Sequence, residues 1–211
     1  MIKILAAGLL SINLILVAGC SVTPQEYQNE SPTFDMKTYF SGDLQALGLF
    51  QDYRGKVVKR FHITMNGSWK ENQGVLDEFF TYSDGTKQRR TWNLTRVDKH
   101  TFTGTAADVI GEAKGQAYGN ALRWQYVLAL EVDDSVYHVN FDDWMWLIDE
   151  HTVINHSVMS KYGVTLGNVI LVFRKNPQNM TPDIQKPEAE TNGNFKMPEI
   201  HNIVLRNSAI I

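Results

Sequence analysis

Leu122-Arg123-Trp124-Gln125-Tyr126-Val127-Leu128-Ala129-Leu130-Glu131-Val132 alternates without a break. Leu122, Trp124, Tyr126, Leu128, Leu130 and Val132 fall on one side of a two-residue repeat. Arg123, Gln125, Val127, Ala129 and Glu131 fall on the other. Successive side chains of extended backbone point to opposite faces. The stretch therefore presents one apolar face and one mixed face, which is the pattern of a half-buried antiparallel strand. A helix would need apolar residues at i, i+3, i+4 and i+7. No segment between residues 39 and 175 sustains that stripe over three turns.

The same pattern repeats on either side. Asp133-Asp134-Ser135 turns the chain into Val136–Phe141, where Tyr137, Val139 and Phe141 share a face. Upstream, Val57, Phe61, Ile63 and Met65 oppose Val58, Arg60, His62 and Thr64. Ser83-Asp84-Gly85-Thr86 separates two strand-like runs, and Asp-Gly in that position signals a tight hairpin. Strands are expected over 44–51, 56–66, 74–82, 87–97, 101–107, 110–118, 121–132, 135–141, 151–160 and 164–174. Short helices are expected only near Tyr39–Leu47 or Trp144–Asp149. Strands joined by tight turns make an up-and-down meander, and a meander of this length removes its exposed edges by closing. The fold class is all-β, a lipocalin-like barrel of about 8–10 strands.

The first residues read as a signal for export. Lys3 precedes an apolar run from Ile4 to Leu16, followed by Leu16-Val17-Ala18-Gly19-Cys20. The run is shorter than the roughly 20 apolar residues a membrane span needs, and Ser11 and Asn13 interrupt it. The five residues look like the lipobox of a bacterial lipoprotein, with small residues before the chain's one cysteine. Residues 1–19 are then a signal peptide. Cys20 becomes the lipidated N-terminus, carrying a diacylglyceryl group and an N-acyl chain in place of any other cofactor. Two or more chains hold a protein stably on a membrane. By resemblance to Gram-negative lipoproteins, Ser21 favours sorting to the outer membrane. Residues 20–38, with Pro24 and Pro32, read as a tether, and residues 39–175 as the barrel. Residues 176–211, with four prolines and few aromatics, read as a disordered or loosely docked tail.

Composition narrows the function further. The net charge is −3 and no basic stripe is present, so nucleic acid is not an expected partner. With Cys20 acylated no disulfide can form, and five Trp, eight Tyr and ten Phe must supply the packing. The six histidines form no His-x-x-x-His or His-x-His pair, so no metal site is expected. No Gly-x-Ser-x-Gly elbow is present and nothing nominates a catalytic triad, so catalytic residues are not assigned.

Candidate ligand contacts come from three clusters. Arg90 and Trp92 share one face of a strand, and an interior Arg could meet an acidic head group; the alternative is an outward Arg on a solvated face. Gly111, Gly115 and Gly119 lie at four-residue spacing, which puts all three on one face of a strand. They mark either a sharp bend of the barrel wall or a bare floor on which a ligand lies. Asp142-Asp143-Trp144-Met145-Trp146 sets acids beside tryptophans, as a carbohydrate or cation site does, but vicinal carboxylates on a strand point to opposite faces and cannot act as a pair; the alternative, favoured here, is a turn followed by core tryptophans. The candidate ligand-binding set is Arg90, Trp92, Asp108, Gly111, Gly115, Trp124 and Tyr126.

Several short motifs occur in order: Tyr39-Phe40-Ser41-Gly42, Asp52-Tyr53-Arg54-Gly55, Tyr82-Ser83-Asp84-Gly85, Arg90-Thr91-Trp92, and Ala107 to Ala113. Gly119-Asn120-Ala121-Leu122, Asp142-Asp143-Trp144-Met145 and Lys161-Tyr162-Gly163 continue the series. Over about residues 39–174 the chain resembles the proteobacterial lipoproteins grouped as domain of unknown function 3833. The resemblance implies an envelope lipoprotein with no assigned activity, and so brings no catalytic residues with it. The expected function is an outer-membrane-anchored, periplasm-facing barrel that binds a lipid or other apolar molecule. The alternatives are a structural or assembly factor of the envelope acting through protein contacts, and, further off, an enzyme acting on lipids.

Overall fold

The computed structural model describes residues 21–132 and 135–175. The lipobox, Cys20, and the tail from residue 176 lie outside the described residues. A 3-10 turn, Pro24–Tyr27, and a single-turn helix α1, Met36–Tyr39, precede ten strands. These are β1 Gly42–Asp52, β2 Val57–Lys70, β3 Gln73–Tyr82, β4 Lys87–Arg96 and β5 Thr101–Thr105. The remainder are β6 Val109–Tyr118, β7 Ala121–Val132, β8 Ser135–Leu147, β9 Thr152–Lys161 and β10 Val164–Lys175. Every strand pairs antiparallel with its sequence neighbour, and β10 returns to pair with β1. Closure runs from Leu44 opposite Lys175 to Asp52 opposite Gly167. The lipocalin-like barrel of about 8–10 strands expected from the alternation is therefore present, closed with ten strands.

The β3–β4 hairpin shows why the local sequence turns as it does. Gly85 takes φ +86°, and Asp84 Oδ1 accepts hydrogen bonds from Thr86 N at 3.0 Å and Thr86 Oγ1 at 2.6 Å. Asp supplies the local acceptor and Gly the left-handed conformation. The apolar face of β7 points inward as the alternation requires, with Leu122, Trp124, Leu128 and Leu130 buried.

The segment before β1 plugs one end of the barrel. Phe34, Met36, Tyr39 and Phe40 are all core residues, so the stretch read as tether packs from Pro24 onward rather than standing free. Phe34 N donates to Gly119 O at 2.7 Å. The Tyr39 hydroxyl donates to His151 O at 3.0 Å and Phe173 O at 3.2 Å. Phe40 meets Phe173 edge-on at 5.7 Å. The Asp35 side chain caps α1 through Thr38 N at 2.8 Å and pairs with Arg96 at 3.0 Å. The expected helix near Tyr39 thus lies a few residues earlier than its assigned span.

The second expected helix is absent: β8 continues as strand to Leu147. Asp142-Asp143-Trp144-Met145-Trp146 is therefore not a turn, and its tryptophans are not core. Val139, Phe141, Asp143, Met145 and Leu147 are buried inward, while Trp144 and Trp146 are half-buried on the outer face. The two indoles stack there at 6.0 Å and 11°, and Tyr27 meets Trp144 at 5.9 Å. Covered on the outside by each other and by the N-terminal segment, they need no place in the core.

Candidate functional site

The interior holds a cavity of about 110 Å³. Much of its wall is aromatic. Trp92 stands edge-on to Trp124 at 5.7 Å and to Tyr126 at 5.4 Å. Tyr126 stacks on Phe141 at 4.9 Å. Across the chamber, Phe61 meets Phe80 at 6.0 Å and Tyr82 at 5.6 Å. Into this apolar wall project five polar side chains: Glu78, Arg90, Asp143, Asn155 and Ser157.

Arg90, on β4, faces inward, with only 9% of its side chain exposed. Its Nε and Nη2 donate to Asp108 Oδ2 at 3.0 and 2.8 Å. The carboxylate that the interior Arg meets is thus one of the protein's own. The pair also closes the wall. The β4–β5 ladder stops at Asn93 opposite Thr105, so the part of β4 from Lys87 to Arg90 has no strand partner on that side. The Arg90–Asp108 ion pair spans this gap, and Asp108 O receives Ala129 N from β7 at 2.8 Å.

Glu78 follows from the register. It sits opposite Arg90 across the β3–β4 ladder, on the inward face with Leu76, Phe80 and Tyr82. Burial pushes its carboxyl up to about 7, with Arg90 pulling down and Asp108 pushing further up. Asp143 is the inward member of the β8 acid pair and lies opposite Ser157 of β9. Burial likewise pushes it up to about 7, with Ser157 and Arg90 pulling the other way. Its vicinal partner Asp142 faces outward and binds Arg123 through two hydrogen bonds of 2.7 Å. Asp143 Oδ1 has no hydrogen-bond partner in the described structure.

Of the residues singled out from sequence, Arg90, Trp92, Trp124 and Tyr126 come together on the cavity wall. Asp108 stands behind that wall as the partner of Arg90. The glycines do not share a face. A bulge between Ile110 and Lys114 breaks the alternation, and Gly111, at φ +69°, is exposed on the outside. Gly115 is inward, but a Cβ there would lie 2.4 Å from the Trp124 ring. Its bare surface is filled by Trp124, so it forms no open floor. Gly119 approaches the N-terminal segment, where a Cβ would lie 1.6 Å from Tyr27 O. The spacing argument fails because Gly111 lies in a bulge that sets two extra residues of β6 against β7, and Gly119 lies past the end of β6.

Sequence reasoning missed Glu78 and Asp143, and the signal for both was available. Leu76, Glu78, Phe80 and Tyr82 alternate as one face, and so do Val139, Phe141, Asp143 and Met145. A single acid inside an otherwise apolar face is a group directed into the interior.

A solved structure shares this architecture. The S-type phycobiliprotein lyase CPES of Guillardia theta aligns with a TM-score of 0.51 over 66% of this chain and 90% of its own. The two sequences are 5% identical, so the likeness is one of fold. No curated protein matches the chain by sequence. The family model described as protein of unknown function, DUF3833, matches residues 14–175. Spanning the whole barrel and the segment that plugs it, that match shows that the chain belongs to the DUF3833 family.

Proposed function

We propose that this protein is a lipid-anchored envelope protein that binds an apolar small molecule inside its barrel. The observation that carries the reading is the cavity between Trp92, Trp124, Tyr126 and Phe80. Its volume is of the order of the roughly 150 Å³ apolar cavity that takes benzene in an engineered protein. A small-molecule site is an apolar hollow with a few placed polar groups, and Glu78, Arg90 and Asp143 provide those here. The anchor is acyl chains on Cys20, and Ser21 directs the protein to the periplasmic face of the outer membrane. Native mass spectrometry and solvent extraction of the purified full chain test the binding. A stoichiometric apolar passenger supports it, and repeated failure to find or load one overturns it. Cys20→Ala tests the anchor. The variant should move from the membrane fraction to the soluble fraction and lose label from an alkyne fatty acid.

A second reading, a structural or assembly factor acting through protein contacts, draws on the outer wall. Leu47 of β1 lies opposite Val172 of β10, which lies opposite Ile154 of β9. All three are exposed, and Trp146 continues the row on β8. A photo-crosslinker at Leu47 in intact envelopes distinguishes the readings: one discrete protein adduct favours this one, and lipid or no adduct the first.

A further inference from the structure

We propose that the barrel interior selects a ligand bearing a cationic head group, in its simplest form an amine on an apolar body, held by Asp143 and Glu78. This rests on the interior being a ligand site and adds the chemistry that the site recognises.

The inference begins with the charges that face the chamber. Arg90 from β4 is bonded to Asp108 of the β5–β6 connection. Lys59 from β2, buried against the Tyr82 ring at 4.5 Å, is bonded to Asp84 at 2.8 Å. Lys59 thus closes on Asp84, while Arg90 bonds Asp108 and also draws down Glu78 of β3 and Asp143 of β8, so two cations face four acids. Glu78 and Asp143 are the acid surplus of the interior. Tyr82 and Tyr126 also face them, and burial raises both phenols, so neither adds negative charge in the neutral range.

The second observation is a vacancy in the hydrogen bonding. Asp143 lines the cavity, is 8% exposed, and has no partner for Oδ1. Of the uncharged polar neighbours, only Ser157 also favours the ionised Asp143, and both it and Asn155 have other acceptors. Asn155 Nδ2 donates to Trp144 O at 3.2 Å, and Ser157 Oγ donates to Asn155 Oδ1 at 3.1 Å. A buried acceptor left unpaired is costly, and a charge-assisted bond to it is stronger than a neutral one. The aromatic wall suits the same head group, because ring faces attract cations. The Arg90 guanidinium already lies 5.8 Å from the Phe80 and Trp92 ring centroids. A fatty carboxylate would instead bring a further negative charge beside two surplus acids and would find Arg90 engaged with Asp108.

Hexylamine, hexanol and hexanoate share one apolar body and test the head group directly. Binding to the purified full chain is measured by calorimetry at pH 6 and pH 8, with tryptophan fluorescence as a second readout from Trp92 and Trp124. Hexylamine should bind at least tenfold more tightly than hexanoate at pH 8, and the preference should shrink at pH 6 as the acids take up protons. Asp143→Asn should weaken hexylamine about tenfold at pH 8 and leave hexanol unchanged. Glu78→Gln should act in the same direction. Both substitutions remove a buried ionisable group without changing its shape, and unfolding curves confirm that the barrel is intact. Equal or tighter binding of hexanoate overturns the head-group assignment, as does an Asp143→Asn variant that binds hexylamine normally. In those cases the ligand site itself stands. Failure of all three probes overturns the site and the assignment together.

Discussion

This barrel should be more stable at pH 5 than at pH 8. Glu78 and Asp143 ordinarily titrate at 4.5 and 3.8, and inside the barrel both sit at about 7. Below the unfolded values both are protonated in either state and the folded form bears no penalty. As the pH rises, the unfolded chain releases these protons first, so the folded state binds more protons and stability falls with pH. The loss is complete only above the folded value of about 7. One pH unit of separation is worth about 1.4 kcal/mol. Integrated from pH 5 to pH 8, each group removes roughly 2–3 kcal/mol, and the pair about 5 kcal/mol. That is a large part of the 5–15 kcal/mol by which domains are stable, and corresponds to roughly 10–20 °C in Tm for a domain of this size. His62 acts in the opposite sense, because burial lowers its pKa and its contribution fades as the pH drops toward 5. The double amide variant Glu78→Gln, Asp143→Asn separates the two effects. Urea unfolding followed by tryptophan fluorescence across pH 5–8 should give a falling curve for the native chain. For the variant the curve should be flat or gently rising, and higher at pH 8. A native curve that rises over this window, or a variant that keeps the native slope, refutes the assignment of two inward carboxyls.

Removing Asp108 should destabilise far more than removing the whole ion pair. Asp108→Asn takes away the acid bonded to a 9%-exposed guanidinium and should cost about 3–5 kcal/mol, whereas Arg90→Met with Asp108→Leu should recover most of that in urea unfolding. Two glycines of similar backbone but different surroundings make a paired test. Gly85→Ala meets open space at φ +86° and should cost about 1–2 kcal/mol for the left-handed conformation alone. Gly119→Ala, at φ +50°, also drives a Cβ into Tyr27 O. It should cost more and should increase hydrogen exchange at Phe34 N, whose acceptor is Gly119 O. Phe40→Ala opens the plugged end of the barrel and should cost roughly 3–5 kcal/mol in unfolding experiments.

Most of the barrel was legible in the chain because strand periodicity is set by backbone geometry alone. β7 has the span its alternation gives, β3 and β4 come within one residue of theirs, and Asp84-Gly85 makes the hairpin it signals. Two of the departures share one origin, which is that polarity reads as a break in structure. Asp142-Asp143 looked like a turn, yet the alternation from Tyr137 to Leu147 runs straight through it once Asp143 is allowed inside. Pro24 and Pro32 looked like a tether, yet the residues around them carry Phe34 and Met36 into the core. Arg90 was balanced between the two faces, and no local rule could decide it. Its direction depends on Asp108, eighteen residues away, which local pattern does not encode. The β6 bulge is equally non-local, since it shows only where β7 fails to match residue for residue.

The interior acids bear on function through their energetic cost. Leu76 and Phe80 flank Glu78 on one face, and Phe141 and Met145 flank Asp143 on another. A Leu or Met at either position would continue the apolar face and remove a group that opposes folding at neutral pH. Glu78 accepts a hydrogen bond from the Trp92 side chain, which accounts for part of its placement but not for Asp143. The gap beside β4 is already spanned by Arg90 and Asp108, and Asp143 Oδ1 bonds to nothing in the described structure. Groups that destabilise a fold without serving its architecture are characteristic of binding and catalytic sites, where stability is given up for recognition. A bound cation would reverse the sign of the effect, because it favours the ionised carboxylates that the empty barrel disfavours. Ligand stabilisation should then be greatest at pH 8, where the empty barrel is weakest. A thermal-shift titration with hexylamine should show an increment in Tm that grows from pH 6 to pH 8, while hexanol gives the same increment at both. An amine increment that does not grow over that range would separate the destabilising acids from recognition and leave their cost unexplained.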